Sequence, residues 1–288
     1  MDASTSTGGT LWIVATPIGN LADLSPRAID VLRSVAAIAA EDTRTSRTLL
    51  QRFGIATATL ALHEHNEEAA VPGLVARLAR GESLALISDA GTPLVSDPGY
   101  RLVAAARAAG IRVSTVPGPC ALVAALSISG LPSDRFAFEG FLPAKGAARR
   151  ARLESLAREP RTLVFYESKH RIGETLADLA AVFGAERSAA LARELTKLHE
   201  TVLDGTLAAI AARVASDAEQ RLGEFVLVVA GAPEADEDTM RIREGERTLR
   251  LLLEANVPAS SAAKLAAAIS GAPKNALYRL VEQLRADG

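Results

Sequence analysis

SLALISDAGTPLVSDPG, residues Ser83–Gly99, sets a strand-like run directly against a long turn-rich loop. Ser83 to Ile87 is a short apolar stretch ending in a β-branched residue, the pattern of a strand buried on both faces in a parallel sheet. Gly91, Pro93, Pro98 and Gly99, interleaved with Ser88, Asp89, Thr92, Ser96 and Asp97, then hold the chain out of regular structure until helical spacing resumes over Tyr100–Ala109. Open α/β sheets bind their ligands in loops at the carboxyl ends of such strands, so the functional site is placed here.

Reading outward, Leu11–Ala15 predicts the first strand and Thr16–Asn20 the loop that leaves it. Ser25 followed by Pro26 is a helix start, with serine at the N-cap and proline at the first helical position. A second strand, Ala36–Ala40, runs into Glu41–Arg44 (EDTR). Helix Ser46–Phe53, strand Thr59–Leu62, the polar segment HEHNEE and helix Ala70–Arg80 lead back to Ser83. Beyond Gly99 come helix Arg101–Ala109, strand Ile111–Thr115, the loop VPGPC and helix Ala121–Ser127. Strand and helix alternate with short connections, which predicts an α/β domain with a mainly parallel sheet.

The alternation breaks at Gly130 and Pro132. Strands are expected at Phe136–Gly140, Thr162–Tyr166, Arg187–Ala192, Thr201–Leu203 and Phe225–Val229. Helices are expected at Lys145–Arg158, Ile172–Val182 and Leu207–Val214. Without strict alternation, this half is expected to hold a mixed sheet. After the acidic run Glu234–Asp238, helices at Arg247–Glu254, Ser260–Ser270 and Asn275–Leu284 suggest either a helix-turn-helix or a small bundle; the last helix lacks a basic stripe. The expected division is a disordered tail over 1–10, an α/β domain over 11–130, a second α/β domain over 131–233 and a small helical domain over 240–288.

Composition bounds the function classes. With 288 residues, 49% of them apolar, the chain has enough length and hydrophobic content for two α/β cores. A net charge of −2 argues against a histone-like or tail-like binder and leaves a local nucleic-acid-binding patch open. A single cysteine, Cys120, excludes an intramolecular disulfide and fits a reducing compartment; a cytoplasmic, soluble protein is expected. Neither a secretory h-region nor an apolar run of membrane-spanning length is present.

The loops restrict the ligand. No G-x-G-x-x-G and no Walker-type loop follows a strand, which disfavours nucleotide hydrolysis. Instead Pro17, Pro93, Pro117 and Pro119 sit in three strand-end loops, and each proline removes an N–H donor that a phosphate cradle would need. Such loops suit a ligand held by shape, carbonyl oxygens and a few hydroxyls, or else the prolines only stiffen turns.

His63, Glu64, His65 and Asn66 lack a second ligand cluster nearby and alternate in direction on an extended chain, so no metal is expected. Lys145, Arg149, Arg150 and Arg152 form a basic helix face that is either placed for phosphates or merely solvated. Glu41, Asp42, Thr43 and Arg44, and Arg193, Glu194, Thr196, Lys197 and Glu200, follow strands and are candidates for a site; helix capping and surface ion pairs compete.

Taken together, TPIGNL, AEDTRTSRTLL, SDAGTPLVSDPG, VPGPCA, ALSISGLP, FEGFLPAKG and ARELTKLHET, in order from Leu11 to Gly231, resemble one branch of the tetrapyrrole methylase superfamily. That branch comprises the bacterial methyltransferases that modify the ribose 2′-hydroxyl of a cytidine in the decoding centre of 16S ribosomal RNA. The resemblance implies a two-domain tetrapyrrole-methylase-like fold, a homodimer, and S-adenosylmethionine in the cleft between the domains. It places cofactor contacts at Pro17, Ala90, Gly91, Thr92, Val95, Cys120, Ala121, Tyr166, Glu167 and Leu195. The match departs at Thr92, where the superfamily usually carries aspartate; Asp89 is a candidate for the same polar role.

Methyl transfer to a ribose hydroxyl needs alignment and a proton acceptor. Glu194 or Asp42 is the candidate acceptor, with Arg44 and Lys197 holding RNA phosphates of 16S ribosomal RNA or the small ribosomal subunit. The rival readings are a tetrapyrrole (uroporphyrinogen or precorrin) C-methyltransferase with the same cofactor, and a non-catalytic RNA-binding assembly factor.

Overall fold

Five short strands rich in alanine, leucine, isoleucine and valine form the first sheet: β1 (Thr10–Val14), β2 (Ala37–Ala40), β3 (Thr59–Ala61), β4 (Leu84–Ile87) and β5 (Arg112–Val116). They are ordered β3-β2-β4-β1-β5 and every pairing is parallel. Residues on β2 and β4 are buried on both faces, as an all-parallel sheet covered on each side requires. Helices α1 (Pro26–Ser34) and α2 (Thr43–Arg52) pack one face through Ala28, Leu32 and Leu50 against Ile38, Ala85 and Ile87. Helices α3 (Glu67–Ala79) and α4 (Tyr100–Ala108) pack the other through Leu74, Leu78, Leu102 and Ala106.

The described residues of this computed structural model are 8–233 and 237–286, without the side chains of 237–239 and 284–286. The expected tail over 1–10 therefore lies mostly outside them, and within them Thr10 already belongs to β1, its N–H donating to Ser83 Oγ at 3.0 Å. The described chain divides into two units, residues 1–232 and 233–288.

After α5 (Ala121–Ile128), the first unit continues with a second sheet ordered β6-β7-β10-β8-β9: β6 (Phe136–Phe141), β7 (Thr162–Ser168), β8 (Ser188–Arg193), β9 (Thr201–Thr206) and β10 (Glu224–Val229). Only the β6–β7 pairing is parallel, so this sheet is mixed, as the loss of alternation predicted. Strand periodicity divides its faces. Leu163, Phe165, Phe225, Leu227 and Leu191 point to a core with α6 (Gly146–Leu156), α7 (Ile172–Phe183) and α8 (Leu207–Ser216). Val164, Tyr166, Val226, Val228 and Ala192 point the other way and pack on Leu122, Ala125 and Leu126 of α5.

Ser25 caps α1 by accepting the Ala28 N–H at 3.1 Å, with Pro26 in the first turn, as expected. Other starts come earlier than expected: α2 begins at Thr43 rather than Ser46. Helix α3 begins at Glu67, because the HEHNEE segment is its entry turn: Asn66 Oδ1 accepts the His63 N–H at 2.8 Å and Asn66 Nδ2 donates to the Ala61 carbonyl at 3.0 Å. The basic face is also different in kind. Arg149 is 2% exposed and donates to Asp178 at 2.7 Å and Glu174 at 3.1 Å; Arg150 pairs with Asp178 and Arg152 with Glu139. Arg149 is thus committed to acids of the fold, whereas Arg150 and Arg152 form exposed ion pairs.

The second unit holds α9 (Glu237–Glu254), α10 (Ala259–Ser270) and α11 (Lys274–Ala286) around Leu249, Ala262, Ala266, Leu277 and Val281. Helix α9 starts at Glu237, well before the expected Arg247, and of the acidic run only Glu237 and Asp238 are described, both inside it. Gly271 ends α10 with φ +71°, the left-handed cap that glycine takes without steric cost. Among the described residues no helix is long and apolar enough to cross a membrane.

Candidate active site

Three loops meet at the carboxyl ends of the parallel strands: 15–20 after β1, 88–99 after β4 and 117–120 after β5. Thr16 and Gly91 exchange backbone hydrogen bonds at 2.8 and 3.1 Å, forming an isolated antiparallel bridge between the first two loops. The Thr16 hydroxyl donates to the Ser88 carbonyl at 3.2 Å, and the Thr92 hydroxyl donates to the Pro119 carbonyl at 2.9 Å, tying in the third. Gly91 has φ +83°, and a Cβ there would lie 3.2 Å from Ile18 Cγ2, so the approach favours glycine. Leu94 and Ser96 also carry positive φ, +73° and +66°, a strain of roughly 1–3 kcal/mol each that loops retain where the surroundings enforce it. Val95, Ser96 and Asp97 all line the cleft.

Above these loops lies a cavity of about 360 Å³, within the roughly 300–1,000 Å³ of small-molecule sites. Its far wall is the second sheet: Phe141, Tyr166 and Val226 with Leu195. The Tyr166 ring stands edge-on to Phe138 at 4.8 Å and to Phe141 at 5.7 Å. Of the residues anticipated to hold a cofactor, Asp89, Ala90, Gly91, Thr92, Val95, Cys120, Ala121, Tyr166, Glu167 and Leu195 all line this cavity. Pro17 lines the adjoining groove instead. The Glu167 carboxylate is already engaged: it accepts from the Ser168 N–H at 2.7 Å, Arg171 Nε at 2.9 Å and the Thr175 hydroxyl at 2.7 Å. Only its main chain is left for a ligand.

The four anticipated catalytic residues sit as two ion pairs at the margins. Asp42 caps α2, accepts the Arg44 N–H at 2.8 Å and pairs with the Arg44 guanidinium at 2.6 Å, which holds its carboxyl at about 2. Burial acts to raise Glu194, but the Lys197 ammonium at 2.9 Å and the Glu224 N–H at 2.9 Å outweigh it and leave the carboxyl below its usual range. Lys197 also donates to Glu224 at 2.8 Å. Asp42, Arg44 and Glu194 do not line the cavity, and Lys197 lines the adjoining groove.

The acidic side chains available at the cavity are those of Glu41, Asp89, Asp97 and Glu224. Burial, with repulsion from Glu41 and Asp89, pushes Asp97 up to about 6 against a hydrogen bond from Ser88. Burial and Asp89 raise Glu41. Burial also raises Asp89, although its Oδ1 accepts the Asp42 N–H at 3.1 Å. The sequence marks Glu41 as a site candidate and sets the site in the loop that holds Asp97, but assigns neither a catalytic or cofactor role. For Asp97 the available signal was a second Ser-Asp pair, Ser96-Asp97, repeating Ser88-Asp89 within one loop. Glu224 and Val226 arrive on a strand inserted between β7 and β8, with no local sign in the chain. His63 and His65 touch edge-on at 6.1 Å, and among the described residues no group of three or more metal-ligating side chains assembles.

Two five-stranded sheets thus face one another across a cleft at the loop ends. The family model described as tetrapyrrole (corrin/porphyrin) methylases matches residues 10–211, and that described as the RsmI C-terminal HTH domain matches residues 242–285. A protein of Xylella fastidiosa named ribosomal RNA small subunit methyltransferase I is 65% identical, with 95% of this chain and 99% of that one covered. Its namesake in Pseudomonas aeruginosa is 59% identical over 94% of this chain and 96% of that one. The chain belongs to this family, as a methyltransferase of the branch called ribosomal RNA small subunit methyltransferase I. Among solved structures, uroporphyrin-III-C-methyltransferase from Thermus thermophilus is 24% identical with a TM-score of 0.54, covering 78% of this chain and 95% of that one. At that identity the likeness is one of fold alone.

Proposed function

We propose that the chain transfers a methyl group from S-adenosylmethionine to the ribose 2′-hydroxyl of a cytidine in the decoding centre of 16S ribosomal RNA. The observation that carries this reading is the cavity, lined by ten of the eleven residues anticipated for that cofactor, in a chain whose relatives bear the ribosomal RNA methyltransferase name. The lining suits the ligand. Val95, Ala121, Leu195 and Val226 offer apolar surface to an adenine ring, and Asp89 and Asp97 favour a cation. The loops fixed by Pro17, Pro93, Pro117 and Pro119 offer no phosphate cradle, and the ligand needs none.

When bound, S-adenosylmethionine supplies an electrophilic methyl on a sulfonium. The loops contribute closeness and alignment to an in-line displacement. Asp97, whose surroundings bring it near neutrality, is the group best suited to take the hydroxyl proton, a role worth roughly 10²- to 10⁴-fold. Asp42 and Glu194, each held ionised by a cation, suit a positioning role: they fix Arg44 and Lys197 at the margin, where RNA phosphates would pass.

The domain division at residues 11–130, 131–233 and 240–288 belongs to this reading, with the first two walling the cleft. So does a cytoplasmic homodimer. Leu198 is 92% exposed and Leu222 56% exposed, on loops that Arg193 ties together through the Leu222 and His199 carbonyls, and this apolar pair fits a contact with a second copy.

The test is incubation with methyl-labelled cofactor and small subunits from cells lacking this modification, in parallel with uroporphyrinogen. Label in 2′-O-methylcytidine after nuclease digestion is the expected result. Label in the macrocycle, or tight ribosome binding with no label transferred, overturns it.

A further inference from the structure

The cleft does not end at the cavity. Past Ile18, Asp89, Ala90 and Glu224, which wall both spaces, it opens into a groove of about 800 Å³ between α2 and the loop after β1. That loop is held firmly: a Cβ on Gly19 would lie 2.5 Å from Lys197 Cγ, and the Asn20 N–H donates to Thr196 Oγ1 at 3.1 Å. The opposite wall is α2, which presents Ser46, Thr48, Leu49 and Arg52.

Two features of this groove have no role in the cofactor site. Ser46 is 3% exposed, and its hydroxyl has no hydrogen-bond partner. Buried polar groups are nearly always paired, and leaving one unpaired costs roughly 1–3 kcal/mol, so a donor or acceptor from a ligand has something to satisfy. Helix α2 is also cationic along its outer side. Arg44, Arg47 and Arg52 are all exposed, Arg52 at the groove wall and Arg47 about 140° from it around the helix, with Arg44 between them. Arg44 is half-neutralised by Asp42, whereas Arg47 and Arg52 make no ion pair among the described residues.

The geometry points to this groove as the seat of the acceptor nucleoside: one ribonucleotide turned out of its strand, with the flanking phosphates along Arg47 and Arg52. The inference rests on the RNA-methylating reading proposed above and extends it to the substrate's own site. Enzymes that act on a nucleotide within a strand extrude it into a pocket. The groove has the volume for a nucleoside and the apolar surface of Pro17, Leu21 and Leu49 for a base. Its shared wall with the cavity brings a ribose there next to the methyl donor. Arg52 at the groove wall and Arg47 outside it would hold register without reading sequence.

Three variants of the full chain test this, each assayed for S-adenosylmethionine uptake by calorimetry and for methyl transfer to undermethylated small subunits. Thr48→Trp, which fills the groove, is expected to lower kcat/KM for the subunit by roughly tenfold or more while cofactor uptake stays at the wild-type level. Arg47→Ala with Arg52→Ala is expected to raise KM and to reduce the salt dependence of log KM by about 1.4, at 0.7 for each single-stranded phosphate contact. Ser46→Ala is expected to keep or raise thermal stability without RNA, yet to weaken turnover. Wild-type kcat/KM in all three variants, with cofactor uptake intact, overturns the groove as acceptor site. No transfer by the wild-type chain would instead remove the RNA-methylating reading, and this inference with it.

Discussion

The Tyr166 hydroxyl accepts the backbone N–H of Leu122 at 3.1 Å, so a side chain from the second sheet caps the first turn of α5. Cys120, at the N-cap, supplies no side-chain bond there. Burial drives the phenol's ionisation upward, and it stays protonated at any working pH. Tyr166→Phe should therefore leave one helix-start donor unpaired and lower the free energy of urea unfolding by about 1 kcal/mol. Tyr166→Ala, which also empties the ring contacts with Phe138 and Phe141, should cost several times as much.

Asp97 gives the site a pH signature. Its carboxyl lies at about 6 against 3.8 when free, so the folded protein favours the protonated form. That preference is fully present below about pH 3.8 and is lost as pH rises through about 6. Asp97→Asn should thus be more stable than wild type at pH 8, on the order of 1 kcal/mol after allowing for solvent screening. In kinetics the wild-type rate should fall as pH drops below about 6, while the variant loses both that limb and roughly 10²-fold in turnover. A pH–rate profile of the two proteins checks both statements.

Arg149 separates structure from RNA contact on the basic helix. With its partners Asp178 and Glu174 left behind, Arg149→Met should destabilise the fold by roughly 3 kcal/mol in denaturant titration. The affinity of the folded variant for small subunits should be unchanged, since the guanidinium faces inward.

Glu67 acts as a cap from a distance. Its Oε1 accepts the N–H groups of Gly99 at 3.1 Å, Arg101 at 2.9 Å and Leu102 at 3.4 Å, at the start of a helix whose N-cap glycine has no side chain to offer. Glu67→Ala should cost about 1–2 kcal/mol and speed amide exchange in the first turn of α4.

How far the chain could be read in advance follows from the range of the forces involved. Strand β4 and its loop were legible because burial on both faces and turn chemistry are local, and Ser25-Pro26 announced α1 for the same reason. Ten of the eleven residues that the motifs singled out line one cavity. Arg149 was misleading: its helix has the spacing of a solvated face, and only Asp178 and Glu174, more than twenty residues away, turn it inward. Glu67 looked like part of a polar linker because the amides it caps lie beyond residue 98. Asp97 stood in the quoted stretch, but its raised carboxyl depends first on burial in the folded cavity and then on Glu41 at the end of the neighbouring strand, neither of which a spacing rule supplies.

The paired backbones of Thr16 and Gly91 make the cavity floor a fragment of sheet rather than a free loop. Its ordering entropy is settled when the chain folds, and an arriving ligand finds the floor already preorganised. Affinity changes on mutating floor residues should consequently appear mainly as altered residence time, with association rates nearly constant.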